Sequence, residues 1–243
     1  MNIGVIFAGG VGSRMNSKDL PKQFLKIFNK PIIVHTIEFF QNNANIDAVV
    51  IACHKDDLDH MAALVKEYHL DKVKKIVPGG ETGQLSIYAG LCAAEELESE
   101  EDTIVLIHDG VRPLINSELL TRNIETVRKY GACITGSIVK ETVITTDGNG
   151  LVEQVPSRDT SRIAKAPQSF WLKDIIYAHR KAMENNEITH IDSCTLMARF
   201  GFRMHIIDGP IENIKITTPD DFFTMRATLE ARENEQLYMP GNE

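Results

Sequence analysis

The segment Ala8-Gly9-Gly10-Val11-Gly12-Ser13-Arg14-Met15, followed closely by Pro21-Lys22-Gln23, joins small residues to two fixed cations. Glycine leaves the backbone N–H groups of Gly9, Gly10 and Gly12 uncovered, so they can close on an oligophosphate. Arg14 and Lys22 add full positive charge beside those dipoles. The chemistry this favours is the binding of a nucleoside triphosphate. Two better-known phosphate loops do not match. A P-loop requires Lys-Ser or Lys-Thr after its glycines, and neither follows here. The dinucleotide pattern G-x-G-x-x-G begins at Gly10-Val11-Gly12 but meets Met15 at its third glycine. Nor does a strand place an acidic residue about 20 positions further on.

A second group is His108-Asp109-Gly110-Val111-Arg112-Pro113. A carboxylate at the end of a strand can bind a hard cation such as Mg²⁺ that bridges phosphate oxygens. Arg112 either pairs with Asp109 or holds the loop, and Pro113 stiffens its exit. Gly79-Gly80 offers a second glycine turn, and Ser86 stands where a hydroxyl could hydrogen-bond a base. His108 reads as structural. His190 and Asp192 read more simply as a loop pair than as a site.

These groups need a scaffold that gathers distant segments at one edge. The runs 3–7, 48–52, 75–77, 103–107 and 133–138 read as strands, the first of them apolar and uncharged as in a strand buried on both faces. Between them, 31–40, 56–68, 84–97 and 117–130 read as helices, the last capped by Asn116 or Ser117. This alternation implies parallel strands joined by right-handed crossovers, with ligands beyond the carboxyl ends of the strands. The alternation then breaks. Residues 139–145 and 151–155 flank Asp147-Gly148-Asn149-Gly150, a β-hairpin signature. Such a ribbon is marginal alone and most simply packs on a second copy of itself. Beyond it, 166–170 re-enters the fold. Helices follow at 172–185 and 193–199, then strands at 204–207 and 213–217, the latter an edge strand, and a closing helix at 219–232 capped by Thr218.

The whole chain sets outer bounds. Its 243 residues suffice for one domain with a sizeable core, and 43% hydrophobic with 25% charged residues is ordinary for a globular protein. A net charge of −8 argues against a general nucleic-acid binder while leaving room for a local cationic pocket. Cys53, Cys92, Cys133 and Cys194 are widely spaced, without C-x-x-C, so zinc and disulfide frameworks are not expected. No signal peptide precedes the first strand and no apolar run reaches the ~18 residues of a membrane span, so a cytoplasmic location is expected.

Taken together, the motifs resemble the cytidylyltransferase family that includes 2-C-methyl-D-erythritol 4-phosphate cytidylyltransferase and ribitol-5-phosphate cytidylyltransferase. The resemblance runs from about Ile3 to Phe223 and rests on the first glycine motif, on residues 108–113, and on Asn213-Ile214-Lys215-Ile216-Thr217. It implies a Rossmann-like α/β sheet, mostly parallel and flanked by helices, in a single domain spanning 1–243. It also implies a protruding hairpin arm at about 139–163 and a homodimer made through that arm. By the same resemblance, Arg14, Lys22 and Lys215 are catalytic cations, and Ala8, Gly9, Gly10, Gly12, Gly80, Ser86 and Asp109 bind CTP. Asp109 also lies at Mg²⁺, Thr142 and Arg158 bind the acceptor phosphate from the arm of the other subunit, and Arg112 is assigned to the acceptor with them.

The family's pattern is not met everywhere. Its Gly-Gly-x-x-Arg reads Gly79-Gly80-Glu81-Thr82-Gly83, its Thr-Pro-Gln reads Ala166-Pro167-Gln168, and its Thr-Asp-x-Ala reads Ile191-Asp192-Ser193-Cys194. These departures bear on the acceptor more than on cytidylyl transfer. Val111 is closer to the ribitol enzymes. The implied reaction is attack by an acceptor phosphate oxygen on the α-phosphorus of CTP, giving a CDP-alditol and pyrophosphate. Ribitol 5-phosphate is the favoured acceptor and methylerythritol 4-phosphate the alternative. Lys165 and Arg162 read as solvated charge. The competing readings are another base or acceptor, a non-catalytic nucleotide-binding dimer, and a dehydrogenase, which Met15 disfavours.

Overall fold

The computed structural model describes residues 1–9, 20–97 and 102–233. The elements run β1 Asn2–Ala8, α1 Ile32–Asn42, β2 Ala48–Cys53, α2 Leu58–Glu67, β3 Val73–Pro78, α3 Gly83–Leu97, β4 Ile104–Asp109, α4 Ser117–Tyr130 and β5 Ala132–Ile138. There follow the short strands β6 Thr145–Thr146 and β7 Val152–Gln154, then β8 Arg162–Trp171, α5 Leu172–Glu184, α6 Ser193–Arg199, β9 His205–Asp208 and α7 Pro219–Glu233.

Among the described residues, one seven-stranded sheet has the order β9-β5-β8-β4-β1-β2-β3. β1 is parallel to both β2 and β4, β2 is parallel to β3, and β9 is parallel to β5. Only β8 runs antiparallel, against β4 and β5. The mostly parallel α/β reading therefore holds. The chain moves outward from β1 through β2 and β3, then returns to place β4 on the other side of β1. That reversal leaves a crevice outside the carboxyl ends of β1 and β4, where such sheets bind ligands.

Alternation along each strand divides the core between two faces. Ile6, Ile51 and Leu106 meet α1, α2 and α4 through Ile33, Phe40, Met61 and Leu120. Ile3, Val5, Val50 and Val105 meet α3, α5 and α6 through Ile87, Leu91, Ile175 and Met197. Gly4 makes room for the Phe40 ring, since a Cβ there would lie 2.6 Å from Phe40 Cδ1. A third, smaller cluster of Ile27, Ile32, Val111, Leu114, Ile216 and Met225 clamps the segment before α7 and α7 itself onto the loop after β4.

Two expectations change in detail. Residues 213–217 are not an edge strand. Ile216 N–H donates to Val111 O at 3.0 Å, and Asn213 Nδ2 donates to Ala166 O at 2.6 Å. The segment is held by these side-chain and single backbone anchors rather than by a ladder, because Ile216 is drawn into the third cluster. The hairpin is present but paired over fewer residues than its alternation suggests, with Thr145 opposite Gln154 and Thr146 opposite Val152. Its turn is fixed by the Asp147 carboxylate, which accepts from Asn149 N–H at 2.8 Å and Leu151 N–H at 3.2 Å. Asn116 is the cap of α4, accepting from Leu119 N–H at 2.8 Å. No described helix is long and apolar enough to cross a membrane.

The polar link across the first face is Asn123 on α4. It is fully buried, donates to Thr135 Oγ1 on β5 at 3.1 Å, and accepts from Ser169 Oγ on β8 at 2.9 Å. Asn123→Ala strands both hydroxyls without partners. It is expected to cost about 2–3 kcal/mol of unfolding free energy, measured by urea denaturation; a loss near zero would show that these bonds do not hold β8 in place.

Candidate active site

Four strand ends supply the floor of one cleft of about 660 Å³, lined by Phe7, Ala8 and Gly9 after β1, His54 and Lys55 after β2, Pro78–Gly83 after β3, and Asp109 and Val111 at β4. Lys22, Gln23, Ser86 and Lys215 complete the lining. Of the residues assigned from sequence, Ala8, Gly9, Lys22, Gly80, Ser86, Asp109 and Lys215 thus meet in one place. Gly10, Gly12 and Arg14 lie outside the described residues.

The glycines are required by close approach. The Ser86 hydroxyl is buried and donates to Thr82 O at 2.9 Å. A Cβ on Gly79 would fall 2.8 Å from Ser86 Oγ, and one on Gly80 would collide with Leu85. Bare backbone is therefore the only surface the third strand can offer there. Position 83, where the resemblance would place arginine, is open: a Cβ on Gly83 would meet nothing within 4 Å. The missing cation is a matter of sequence, not of space.

The charged centre is Asp109. Its Oδ1 lies 2.6 Å from Lys215 Nζ and its Oδ2 accepts from Arg112 Nε at 2.7 Å. Burial by itself would raise this carboxyl, but the Lys215 ammonium and then the Arg112 guanidinium outweigh it and hold it down at about 2. Arg112 also donates through Nη1 to Asn213 O at 3.1 Å, so it pairs with Asp109 and holds a loop at once. Its side chain is 13% exposed and does not line the cleft. Lys215 is 40% exposed, with its ammonium 5.8 Å from the Phe7 ring centroid. It can face an anion while anchored by Asp109.

Among the described residues no cluster of three or more His, Cys, Asp or Glu side chains is arranged to hold a metal ion. Asp109 has both oxygens engaged by cations, Lys215 and Arg112. His108 is buried, and burial lowers it to about 4, with Nε2 3.1 Å from Arg112 O. It packs the loop as a neutral ring. His190 lies 3.2 Å from Glu187, and Asp192 caps α6 through Thr195 N–H at 2.8 Å, the loop roles expected of them. Arg162 pairs with Asp208 at 3.0 Å. Lys165 is partly buried rather than fully solvated, and desolvation followed by the nearby Arg112 lowers its pKa.

Thr142 and Arg158 are exposed on the arm and do not line the cleft of their own chain. Arg158 Nη1 donates to Lys140 O at 3.2 Å. Lys55 and His54 were not singled out from sequence. The rule that ligands sit beyond parallel strand ends, applied to β2 as it was to β1 and β4, would have found them.

The depressed Asp109 carboxyl stabilises the fold above its unfolded value of 3.8, and this contribution is lost as pH falls toward about 2. Wild type should therefore exceed Asp109→Asn by on the order of 2 kcal/mol at neutral pH, the gap closing between about pH 4 and 2. Urea unfolding at a series of pH values reads this directly, and a gap independent of pH would refute the assigned charge.

Comparison with known proteins places this geometry. The family model described as IspD, 2-C-methyl-D-erythritol 4-phosphate cytidylyltransferase, matches residues 3–231. A ribitol-5-phosphate cytidylyltransferase of Streptococcus agalactiae serotype V is 55% identical over 98% of this chain and 99% of its own length. One from Vibrio parahaemolyticus is 48% identical over 98% of this chain and 100% of its own. A 2-C-methyl-D-erythritol 4-phosphate cytidylyltransferase of Clostridium botulinum is 36% identical over 93% of this chain and 96% of its own. The crystal structure of 4-diphosphocytidyl-2C-methyl-D-erythritol synthase from Anaerococcus prevotii superposes with a TM-score of 0.81 at 29% identity, covering 94% of this chain and 96% of that one. With the sheet, the glycine-lined cleft and the Lys215–Asp109–Arg112 cluster all in place, the chain belongs to the IspD family of cytidylyltransferases.

Proposed function

We propose that the protein transfers CMP from CTP to the phosphate of ribitol 5-phosphate, releasing pyrophosphate and CDP-ribitol. The observation that carries the acceptor is the gradient of similarity. Identity is 55% and 48% to the ribitol-5-phosphate enzymes but 36% to the methylerythritol one, over nearly the same span.

In this reading an acceptor phosphate oxygen forms the new bond to the α-phosphorus. The bond to the β-phosphate breaks in line, and its electron pair leaves on pyrophosphate. The nucleophile is already anionic, so no general base is needed. What the protein must do is bring two anions together and neutralise charge gathering on the phosphoryl oxygens. Lys215, fixed on Asp109, and Lys22 supply preorganised positive charge in the cleft, with Arg14 as the third assigned cation. The bare backbone at Gly9, Gly79 and Gly80, with Ser86, receives the nucleoside. Magnesium belongs here to the substrate, as the ion chelated by the triphosphate. Both substrates carry multiple charges that a bilayer excludes, which supports a reaction in the one compartment that holds both, read here as the cytoplasm.

Thr142 and Arg158 serve in this reading only if a second copy presents its arm to the cleft. Support comes from the arm itself, a two-stranded ribbon with Leu151 at 71%, Val152 at 58% and Val155 at 60% exposure. Apolar side chains so displayed on a ribbon of marginal stability call for a covering surface.

Incubation with CTP, Mg²⁺ and either ribitol 5-phosphate or 2-C-methyl-D-erythritol 4-phosphate, followed by mass spectrometry, tests the acceptor. CDP-ribitol is expected as the main product, and turnover of the methylerythritol compound alone would overturn the assignment. A second test concerns the arm. Lys215→Ala should lower kcat on the order of 10²-fold or more, as for loss of one preorganised donor. Arg158→Ala should raise the acceptor KM while sparing CTP. At an acceptor concentration well below the raised KM, where both variants turn over slowly, mixing them and allowing subunit exchange should return about a quarter of wild-type activity, because half the dimers then hold one intact site. No recovery, with exchange verified, would show that each cleft uses its own arm.

A further inference from the structure

We propose that Lys55 is a further substrate-binding residue, holding the distal phosphates of the nucleotide beside Lys22. This rests on the nucleotide reading given above and assigns a part of the substrate to a residue outside the motifs.

Lys55 stands just past the carboxyl end of β2, in the turn Lys55–Asp57, and lines the cleft. Its ammonium has neither an ion pair nor a hydrogen bond among the described residues. The acids lining the same cleft are Glu81 and Asp109, and Asp109 is already held on both oxygens by Lys215 and Arg112. Lys55 is therefore a lysine at a concave surface whose ammonium no described residue contacts with an opposite charge.

Its position is fixed relative to Lys22. Gln23, 1% exposed, donates through Nε2 to Asp57 Oδ2 at 3.4 Å, and the Phe24 ring meets His60 edge-on with centroids 4.5 Å apart. The Lys22–Phe24 turn and the turn bearing Lys55 are thus packed together, so both lysines start from one joined base.

The cleft is also two-sided. Phe24 belongs to the α1–α2–α4 face of the core, whereas Ile87, one residue beyond Ser86, belongs to the α3 face. The α3 rim, Gly79 to Gly83 with Ser86, carries no cation and one acid, Glu81. The opposite rim carries Lys22 and Lys55. A nucleotide crossing such a cleft sets its neutral base at the rim of bare backbone and its most highly charged end at the cationic one. With Lys215 at the α-phosphorus, the residues left for the β- and γ-phosphates on the described surface are Lys22 and Lys55. Holding the leaving pyrophosphate there neutralises charge where the breaking bond delivers it.

The distinguishing measurement is calorimetric binding of Mg·CTP and of CMP to wild type, Lys55→Ala, Lys55→Arg and Lys66→Ala at one ionic strength. Lys66 is an exposed lysine of α2 that does not line the cleft. It controls for the general field of the protein. Lys55→Ala should weaken CTP about 10- to 100-fold, the size expected for a hydrogen bond to a charged group, and leave CMP within about twofold. Lys55→Arg should restore most of the loss, and Lys66→Ala should match wild type. Equal weakening of CTP and CMP, an equal loss in Lys66→Ala, or no loss in Lys55→Ala would each overturn the assignment. Failure of the wild type to bind CTP at all would instead remove the nucleotide reading, and this inference with it.

Discussion

The carboxylate of Asp109, held between Lys215 and Arg112, joins three stretches of chain that are far apart in sequence. It ends β4, its guanidinium partner sits three residues on, and its ammonium partner comes from the segment before α7. Buried ion pairs are poor sources of net stability, because desolvation consumes most of what the attraction returns. What this one supplies is placement. A lysine tethered to a fixed carboxylate presents its charge at one point of the cleft rather than sweeping the conformations open to a free side chain. Because the Asp109 carboxyl is held at about 2, the arrangement stays fully charged throughout the neutral range.

Much of the remaining structure serves that placement. The third hydrophobic cluster pins Ile216 beside Val111, and the buried Asn213 amide reaches Ala166 O on β8. Lys215 lies between these two anchors. The sheet then sets what stands opposite it. Four parallel strands end at one edge, and the reversal of strand order between β1 and β4 opens the crevice between Ala8 and Asp109. Glycines at 79 and 80 let the loop and α3 approach until Ser86 is buried against them. One rim is thereby nearly bare backbone and the other cationic.

The arm answers to a different physics. It contributes nothing to the cleft of its own chain, and its ribbon displays Leu151, Val152 and Val155 to solvent. At Gly83, where the family pattern carries arginine, the space for a side chain is open.

Local patterns sufficed wherever the physics is local. The apolar runs of β1, β2 and β4 become strands because both faces are covered. Asn116 caps α4 because its side chain reaches an N–H three residues on, and Asp147-Gly148-Asn149-Gly150 turns because asparagine, aspartate and glycine satisfy that geometry themselves. Gly9, Gly80 and Asp109 were legible as chemistry because charge and absence of side chain are properties of residue types, whereas Lys215 was reached only through the family resemblance. Tertiary structure alone decided that 213–217 is an anchored extended segment and not a strand, since that turns on Ile216 finding the third cluster. It alone decided that Arg112 faces Asp109 and Asn213 O together, and that Lys55 shares a rim with Lys22 through Gln23 and Asp57. Such facts depend on which distant segments meet, and no period of two or of 3.6 residues records a meeting.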